Sequence, residues 1–209
     1  MFRRTLLATA LLPVLSPALP RPALAQAGAN RAAVLGQLEA YLNSLTTMRA
    51  RFLQVSSNGA AAQGTAMIWR PGRMRFEYDP PEPLLMVASD GQFLHYDKEL
   101  RQPSIVPVSS TPLGFLLRPQ IRFSGDLEVI GMERVGGMVQ VGLRRKAAPG
   151  EGSLVLVFAD DPIELRQWVV TDAQGRQTRV TLTEIQTGVR FDRAIFTFND
   201  PRFFEEQVR

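Results

Sequence analysis

Most of this 209-residue chain alternates between apolar and polar residues in short runs, and this alternation constrains the fold more than any other feature. From residue 50 onward, runs with a period of two recur at intervals of about ten residues, which is typical of half-buried β-strands. We predict strands at 51–56, 64–70, 73–78, 84–88, 93–96, 105–108, 127–135, 138–144, 154–158, 163–171, 177–185 and 194–198.

The joints between these runs are short and contain turn residues. They include Pro71–Gly72, Asp90–Gly91, Gly136–Gly137 and Gln174–Gly175, and such residues favour tight turns. Because parallel strands need long crossover connections, joints this short indicate antiparallel pairing. The chain is therefore predicted to be mainly β, with a strongly curved antiparallel sheet of about ten or more strands, since an open sheet of that size curls.

Two segments have helical patterns instead. Residues 31–48 place apolar side chains at three- and four-residue steps, which predicts an amphipathic helix with Asn30 as its N-cap. A shorter helix is predicted between the two series of strands, where Thr111 is the N-cap, Pro112 takes the first position and Pro119 ends the helix. We expect both helices to close the concave face of the sheet, and the periodicity leaves open whether the interior is packed or hollow.

The first 25 residues have the pattern of an export signal. Arg3 and Arg4 precede a short apolar stretch, and a small-residue pattern places cleavage near Ala25. The apolar stretch is too short for a membrane span. Ordinary secretion is favoured, and the arginine pair leaves the twin-arginine route as the alternative. We therefore divide the chain into a cleaved signal peptide at 1–25 and a single domain at 26–209.

The composition argues against several functions. The formal net charge is +4, but three of the 24 basic residues lie in the predicted signal, which leaves 21 basic against 20 acidic residues. This balance gives no reason to expect nucleic acid as a partner. The chain has no cysteine, so it has no disulfide, no thiol nucleophile and no acylation site of its own.

Catalytic and metal-binding motifs are also missing from the sequence. His95 is the only histidine, which excludes a multi-histidine metal site, and its place in an aromatic strand favours a structural role. There is no Gly-x-Ser-x-Gly turn and no phosphate-binding glycine loop. The acidic pairs Glu77/Asp79 and Asp160/Asp161 lie beside turns, where solvated or turn-capping roles are favoured. We expect no enzyme activity, no metal and no cofactor.

The order of several short motifs along the chain is more specific. The motifs are Phe52-Leu53-Gln54, a glycine-led run from Gly64 to Pro71, the aromatic run from Arg73 to Tyr78, Ser89-Asp90-Gly91, Thr111-Pro112-Leu113 and Phe196-Thr197-Phe198. This order resembles the outer-membrane lipoprotein carrier protein family (LolA). The likeness covers nearly the whole chain after the signal and is strongest from Gln54 to Asp97.

The resemblance implies both a fold and a function. The fold would be an incomplete β-barrel of eleven strands, closed by the N-terminal helix and the short central helix, with a hydrophobic cavity beneath this helical lid. The function would be that of a periplasmic chaperone that binds lipoprotein acyl chains and carries them from the inner to the outer membrane. The implied partners are lipoproteins, an inner-membrane ABC transporter that releases them, and an outer-membrane receptor or the membrane itself. The carrier would act as a monomer.

The resemblance also implies site residues. Arg70 matches the family's lid-contacting arginine, whose guanidinium hydrogen-bonds to the backbone of the lid helices; simple exposure at a turn is the alternative. Acyl chains need an apolar lining, and methionine adapts well to flexible ligands, although ordinary core packing is the alternative for each residue. The expected cavity-lining residues are Leu35, Leu38, Met48, Phe52, Met67, Trp69, Met74, Phe76, Met86, Phe93, Leu113, Phe115, Leu116 and Phe158.

Two other functions stay open on the sequence alone. The first is an envelope domain on the same fold that senses lipids or lipoproteins, or has a structural role, without transfer activity. The second is a periplasmic hydrolase, which predicts that an activity is lost when His95 is replaced.

Overall fold

The computed structural model describes residues 23–198, apart from the side chains of 23–27 and Gln102. The predicted signal peptide falls almost entirely outside this range, so the signal and its cleavage near Ala25 stay predictions. The described chain begins with helix α1 (Ala23–Ser44), which is followed by eleven strands. These are β1 (Thr47–Ser56), β2 (Ala61–Trp69), β3 (Arg73–Tyr78), β4 (Leu84–Ser89), β5 (Gln92–Asp97), β6 (Gln102–Pro107), β7 (Leu127–Val135), β8 (Met138–Arg145), β9 (Ser153–Asp160), β10 (Ile163–Thr171) and β11 (Gln177–Thr187).

All the strands of the described chain form one antiparallel sheet. Their order is β6-β5-β4-β3-β2-β1-β11-β10-β9-β8-β7, so two meanders meet where β1 pairs with β11. The sheet is not closed, because β6 and β7 are its two edges. This confirms the predicted fold class, a mainly β chain with a curved antiparallel sheet that forms an incomplete barrel.

Register irregularities and one glycine let the sheet curve. A β-bulge interrupts β1 between Arg49 and Arg51, and another interrupts β10; bulges bend a strand and increase its twist. Gly64 of β2 lies so close to β3 that a Cβ atom there would come within 2.0 Å of the Glu77 carbonyl oxygen. This close approach accounts for the glycine at the beginning of the buried part of β2.

The apolar interior lies on the concave face of the sheet, beneath α1. In β2, Ala66 and Ile68 are buried in this interior, and Met67, which lies between them, points to the other face because strand side chains alternate. Helix α1 packs onto the interior through Val34, Leu38 and Leu42, whose spacing is that of one helical face. The predicted stripe is therefore the buried side of α1.

Helix α1 differs from the prediction at both ends. It begins before Asn30, which lies inside the helix and is not its N-cap, and it ends at Ser44 instead of continuing to 48. The chain then enters β1, where Thr47 pairs with β2, so sheet hydrogen bonds replace helical ones. Met48 is fully buried as a strand residue, which explains why it extended the apolar stripe in the sequence.

The predicted central helix is present as a 3-10 helix (Pro112–Leu117). It begins where the Thr111 hydroxyl oxygen accepts a hydrogen bond from the Gly114 N–H at 3.1 Å, as the capping pattern predicted. The last three residues of this central helix are buried in the interior. Its apolar composition is therefore explained by burial in the interior of the sheet.

The prediction of a last strand at 194–198 is wrong. Arg193–Phe196 form a 3-10 turn whose first residues are capped by the Asp192 carboxylate, which accepts a backbone hydrogen bond at 2.9 Å. The turn packs on the convex face, where the rings of Phe196 and Trp69 lie edge to face with centroids 5.9 Å apart. Side-chain capping and this aromatic contact take the place of the strand pairing.

Candidate functional site

Two apolar cavities lie on either side of the central helix. The first, which we call the β3–β5 cavity, has a volume of about 280 Å³. Thr111, Pro112 and Leu113 form its wall on the helix side. The sheet residues that line it are Gln54, Met74, Phe76, Tyr78, Leu84, Met86, Phe93, His95, Trp168, Val170, Thr178 and Val180.

A few polar side chains border the β3–β5 cavity. The buried Tyr78 hydroxyl donates a hydrogen bond to Gln54 Oε1 at 2.8 Å, and burial raises the pKa of Tyr78 above its ordinary value, which keeps the phenol neutral. His95 and Thr178 are partly exposed. Among the described residues that line the cavity there is no arginine or lysine, so the site suits an uncharged apolar group.

The second cavity, which we call the β7–β9 cavity, has a volume of about 360 Å³. Phe115 and Leu117 of the central helix line one side, and Leu127, Leu143 and Leu154 of the sheet line another. Thr111 and Pro112 border both cavities. The central helix is therefore a partition between two apolar spaces.

Three arginines at the border of the β7–β9 cavity each have a carboxylate partner. The pairs are Arg118–Asp126, Arg144–Glu128 and Arg145–Glu151. The Arg118 guanidinium holds the pKa of Asp126 below its ordinary value. Because these charges are paired, the border is less cationic than its arginine content implies.

Arg70 connects α1 to the central helix. Its Nη1 donates hydrogen bonds to the carbonyls of Leu42 and Leu45, the latter at 3.3 Å, and its Nη2 donates to the carbonyl of Arg118 at 2.8 Å. Leu42 lies in the last turn of α1, and Arg118 follows the last residue of the central helix. One side chain therefore contacts the C-terminal ends of both helices.

This position suits a buried cation. Carbonyls in the last turn of a helix have no partner within the helix and have partial negative charge. Arg70 is only 9% exposed, and burial lowers the pKa of its guanidinium from the ordinary value, although arginine stays protonated in proteins. Its Nε is buried and has no hydrogen-bond partner among the described residues. The contact is thus charged but incompletely satisfied.

Two further contacts of α1 were missed by the sequence analysis. Asn43 binds both backbone polar groups of one residue: its Nδ2 donates to the Ile121 carbonyl at 2.9 Å, and its Oδ1 accepts from the Ile121 N–H at 2.8 Å. The Glu39 carboxylate accepts from the Phe123 N–H at 2.5 Å. In a sequence, polar residues beside an apolar stripe cannot be told from the solvent-exposed polar residues of the helix. Nothing in the pattern therefore indicated that Asn43 and Glu39 bind the backbone of another segment.

The expected cavity-lining residues fall into three groups. Those that line the β3–β5 cavity are Met74, Phe76, Met86, Phe93 and Leu113, and Phe115 lines the β7–β9 cavity. Those that belong to the packed interior, and line neither cavity, are Leu35, Leu38, Met48, Phe52, Leu116 and Phe158. The interior is therefore packed over most of its extent and hollow beside the central helix.

Met67 and Trp69 form the third group, and their assignment to the cavity lining is wrong. Ala66 and Ile68 of the same strand face the interior, so alternation places Met67 and Trp69 on the convex face. Trp69 contacts Phe196 of the C-terminal turn there. Trp69 is shielded by that turn, and neither side chain lines either cavity.

Trp168 is the main lining residue that the sequence analysis missed. It lies on β10, is fully buried, and lines the β3–β5 cavity. Its ring packs edge to face against Phe76, with centroids 6.0 Å apart. The sequence did indicate that Trp168 is buried, because a bulky aromatic residue in an alternating run usually lies on a buried face. Which face of the sheet it points to depends on the register of the strands.

Among the described residues 23–198, no cluster of side chains that could hold a metal ion occurs. Within the same range no helix combines the length and the apolar character needed to cross a membrane. Three of the four acidic residues that the sequence places beside turns take part in ion pairs, which are Glu77–Arg75, Asp79–Arg51 and Asp160–Arg134. Arg51 holds the pKa of Asp79 below its ordinary value.

Comparisons with known proteins agree with this architecture. The family model "Outer membrane lipoprotein carrier protein LolA" matches residues 43–199. An outer-membrane lipoprotein carrier protein from Methylococcus capsulatus is 28% identical over 174 residues, which cover 79% of this chain and 83% of the relative. One from Dechloromonas aromatica is 29% identical over 190 residues, covering 86% of this chain and 88% of the relative.

A solved structure supports the fold. The outer membrane lipoprotein-sorting protein domain from Vibrio parahaemolyticus superposes with a TM-score of 0.50 at 10% identity, covering 84% of this chain and 98% of that one. At this identity the likeness concerns the fold alone. The residues matched by the family model include all eleven strands, the central helix and Arg70, and the chain belongs to the outer membrane lipoprotein carrier protein family.

Proposed function

We propose that this chain is a periplasmic chaperone that binds lipoprotein acyl chains and carries them from the inner to the outer membrane. The observation that carries the proposal is the pair of apolar cavities on either side of a central helix that Arg70 ties to α1. A carrier of acyl chains needs an apolar concave surface and no reactive group. The membership of the family supports the same function.

Cargo binding in this proposal requires the central helix to move. The cavities have volumes of about 280 and 360 Å³, close to the lower limit of about 300 Å³ for small-molecule pockets, and several long acyl chains do not fit in such volumes. Because Thr111 and Pro112 border both cavities, displacement of the central helix would join them. We call the arrangement with the helix in place the closed form, and the arrangement with the helix displaced the open form.

Arg70 then controls the free-energy difference between the closed and open forms. A hydrogen bond from a charged donor contributes about 1.5–3 kcal/mol, and the bond to the Arg118 carbonyl is the one that opening would break. Each buried methylene of an acyl chain returns about 0.8 kcal/mol. A few methylenes are enough to offset opening, so the cargo can shift the equilibrium and can still be released.

Two exchange partners follow from this route. An inner-membrane ABC transporter would supply the lipoprotein, and an outer-membrane receptor or the membrane would take it from the carrier. The free energy for release from the inner membrane would come from the transporter, so the carrier needs no nucleotide or other cofactor. The chain would reach the periplasm through the signal at 1–25 and act there as a monomer.

Native mass spectrometry of the mature protein with a triacylated lipoprotein tests the proposal. We expect a one-to-one complex that is absent when the acylated cysteine of the lipoprotein is replaced. Leu113→Glu should abolish the complex, because it places a carboxylate in the wall of the β3–β5 cavity. The matched control Leu53→Glu should leave the complex intact, because the Leu53 side chain is already 46% exposed.

Other outcomes favour the remaining functions. If no complex forms and the protein excludes apolar dyes, a sensing or structural role on the same fold replaces the carrier. If His95→Ala removes a hydrolytic activity that the wild-type protein possesses, the proposal of a carrier without enzyme activity is wrong.

A further inference from the structure

Trp168 has an unusual environment in the interior. It is fully buried, lines the β3–β5 cavity and contacts Phe76. Its indole N–H has no hydrogen-bond partner among the described residues. The Nε of Arg70 is the other buried side-chain nitrogen or oxygen in residues 23–198 with this property.

An unpaired indole N–H is unfavourable in a packed core. A buried tryptophan normally donates its N–H to a partner, and a donor removed from water without a partner destabilises the fold. Phenylalanine would fill much of the same space without this penalty. The tryptophan is therefore better explained by a partner that arrives in the cavity than by packing.

Three of the other polar side chains that border the cavity already have partners, and the remaining two, His95 and Thr178, are partly exposed to water. The Tyr78 hydroxyl donates to Gln54 Oε1 at 2.8 Å. The Thr111 hydroxyl donates to the Val108 carbonyl at 2.9 Å and accepts from the central helix. Trp168 lines the cavity, and its N–H, which is buried in the closed form, is a donor for a ligand that displaces the central helix.

We propose that the Trp168 N–H donates a hydrogen bond to an ester carbonyl of the bound acylated glyceryl-cysteine, and so fixes the depth at which the acyl linkage lies in the β3–β5 cavity. This inference rests on the carrier function. An indole N–H only donates, so it recognises the oxygen of the linkage and not the hydrocarbon chain. A neutral ester suits the cavity better than a free carboxylate, because the described lining residues include no arginine or lysine that would pair with a charge.

A pair of synthetic lipopeptides separates this contact from hydrocarbon burial. One is a dipalmitoyl-glyceryl-cysteine peptide with two ester linkages, and the other is its diether analogue, which lacks both carbonyls. Binding is measured by displacement of an apolar fluorescent dye from the mature protein. We expect the wild type to bind the ester form about three- to tenfold more tightly, the usual effect of one hydrogen bond. Trp168→Phe should bind both forms equally.

The chain provides a matched control in its other tryptophan. Trp69 lies on the convex face against Phe196, so Trp69→Phe should keep the preference for the ester. In that variant Trp168 is the single tryptophan, and its fluorescence reports the cavity directly. Its emission should shift to the red with the ester peptide and stay constant with the diether, and this readout does not depend on how well Trp168→Phe folds.

The outcomes distinguish the two proposals. If both lipopeptides bind wild type and Trp168→Phe with the same affinity, and the emission of Trp69→Phe does not differ between them, the Trp168 contact is refuted while the carrier function stands. If neither lipopeptide displaces the dye from the wild-type protein, both proposals fail.

Discussion

Replacing Arg70 with leucine is the most direct test of the closed form. Leucine keeps the apolar part of the side chain and removes the donors to the carbonyls of Leu42, Leu45 and Arg118. Only the bond to Arg118 joins the central helix. Its loss should therefore favour opening of that helix by about 1.5–3 kcal/mol.

Amide hydrogen exchange measures this opening locally. Three amides report it, because Gly114 donates to the Thr111 carbonyl, Arg118 to the Phe115 carbonyl, and Gly72 to the Leu117 carbonyl. At about 1.4 kcal/mol for each tenfold change, their protection factors should fall by roughly ten- to hundredfold. Amides of β9, paired on both sides, provide the internal reference.

Global destabilisation would have a different signature. Removing the guanidinium also relieves its own burial, which offsets part of the loss, so we expect the fold to persist. Arg73→Leu is the matched control, because the Arg73 guanidinium lies over the Trp69 ring on the convex face, 4.9 Å from its centroid. If the protection of Gly72 and Gly114 falls only as much as that of β9, Arg70 does not hold the central helix and the reasoning is wrong.

Three further predictions concern the frame around the cavities. Gly64→Ala should lower the free energy of unfolding by about 1–3 kcal/mol, because the added Cβ would meet the backbone of β3. Thermal or urea unfolding measures this change. The control Gly36→Ala places its Cβ in open space beside α1, so it should leave the stability unchanged or raise it by about 1 kcal/mol. Arg118 lowers the pKa of Asp126 in the folded protein. The pair therefore stabilises the fold fully at pH values above the pKa of about 4 that Asp126 has in the unfolded chain, and this stabilisation is lost as the pH falls through the lower pKa of the folded protein. Exchange at the Arg118 amide should therefore increase, relative to β9, on acidification in the wild type and not in Asp126→Asn. His95→Ala should form the lipoprotein complex as the wild type does. Loss of the complex would mean that His95 takes part in binding the lipoprotein and does not merely border the cavity.

Much of the sheet was predictable because one face is buried and the other is not. Burial on one face imposes a period of two, so the runs at 73–78, 127–135 and 163–171 coincide with β3, β7 and β10. The central helix was predictable for a different reason: Thr111 and Pro112 provide a local cap that needs no tertiary context.

The errors arise where the answer depends on contacts distant in sequence. Helix α1 and β1 share one buried face across their junction, so Met48 fits a helical stripe although β1 already pairs with β2 there. Met67 and Trp69 are bulky apolar residues of β2, and bulk indicates burial but not which face is buried. That depends on the register with β1 and on the C-terminal turn that covers Trp69. The unpaired N–H of Trp168 likewise appears only when the whole interior is assembled.

Two buried side-chain nitrogens have no partner among the described residues, and they are Arg70 Nε and Trp168 Nε1. In the proposed function, Arg70 belongs to the contact that holds the central helix and Trp168 to the wall of the cavity that binds the cargo. If Arg70 acts on opening and Trp168 on contact with the cargo, their effects on affinity should multiply. A cargo that binds only the open form has an apparent Kd equal to its intrinsic Kd divided by the open fraction. Arg70→Leu should then tighten binding of the ester lipopeptide, by up to the ten- to hundredfold expected for opening. Trp168→Phe should weaken it about three- to tenfold, and the double variant should show the product of the two factors, because one side chain acts on opening and the other on contact with the cargo. Weaker binding by Arg70→Leu alone would mean that the closed form does not exclude cargo, and Arg70 would have to contact the cargo itself.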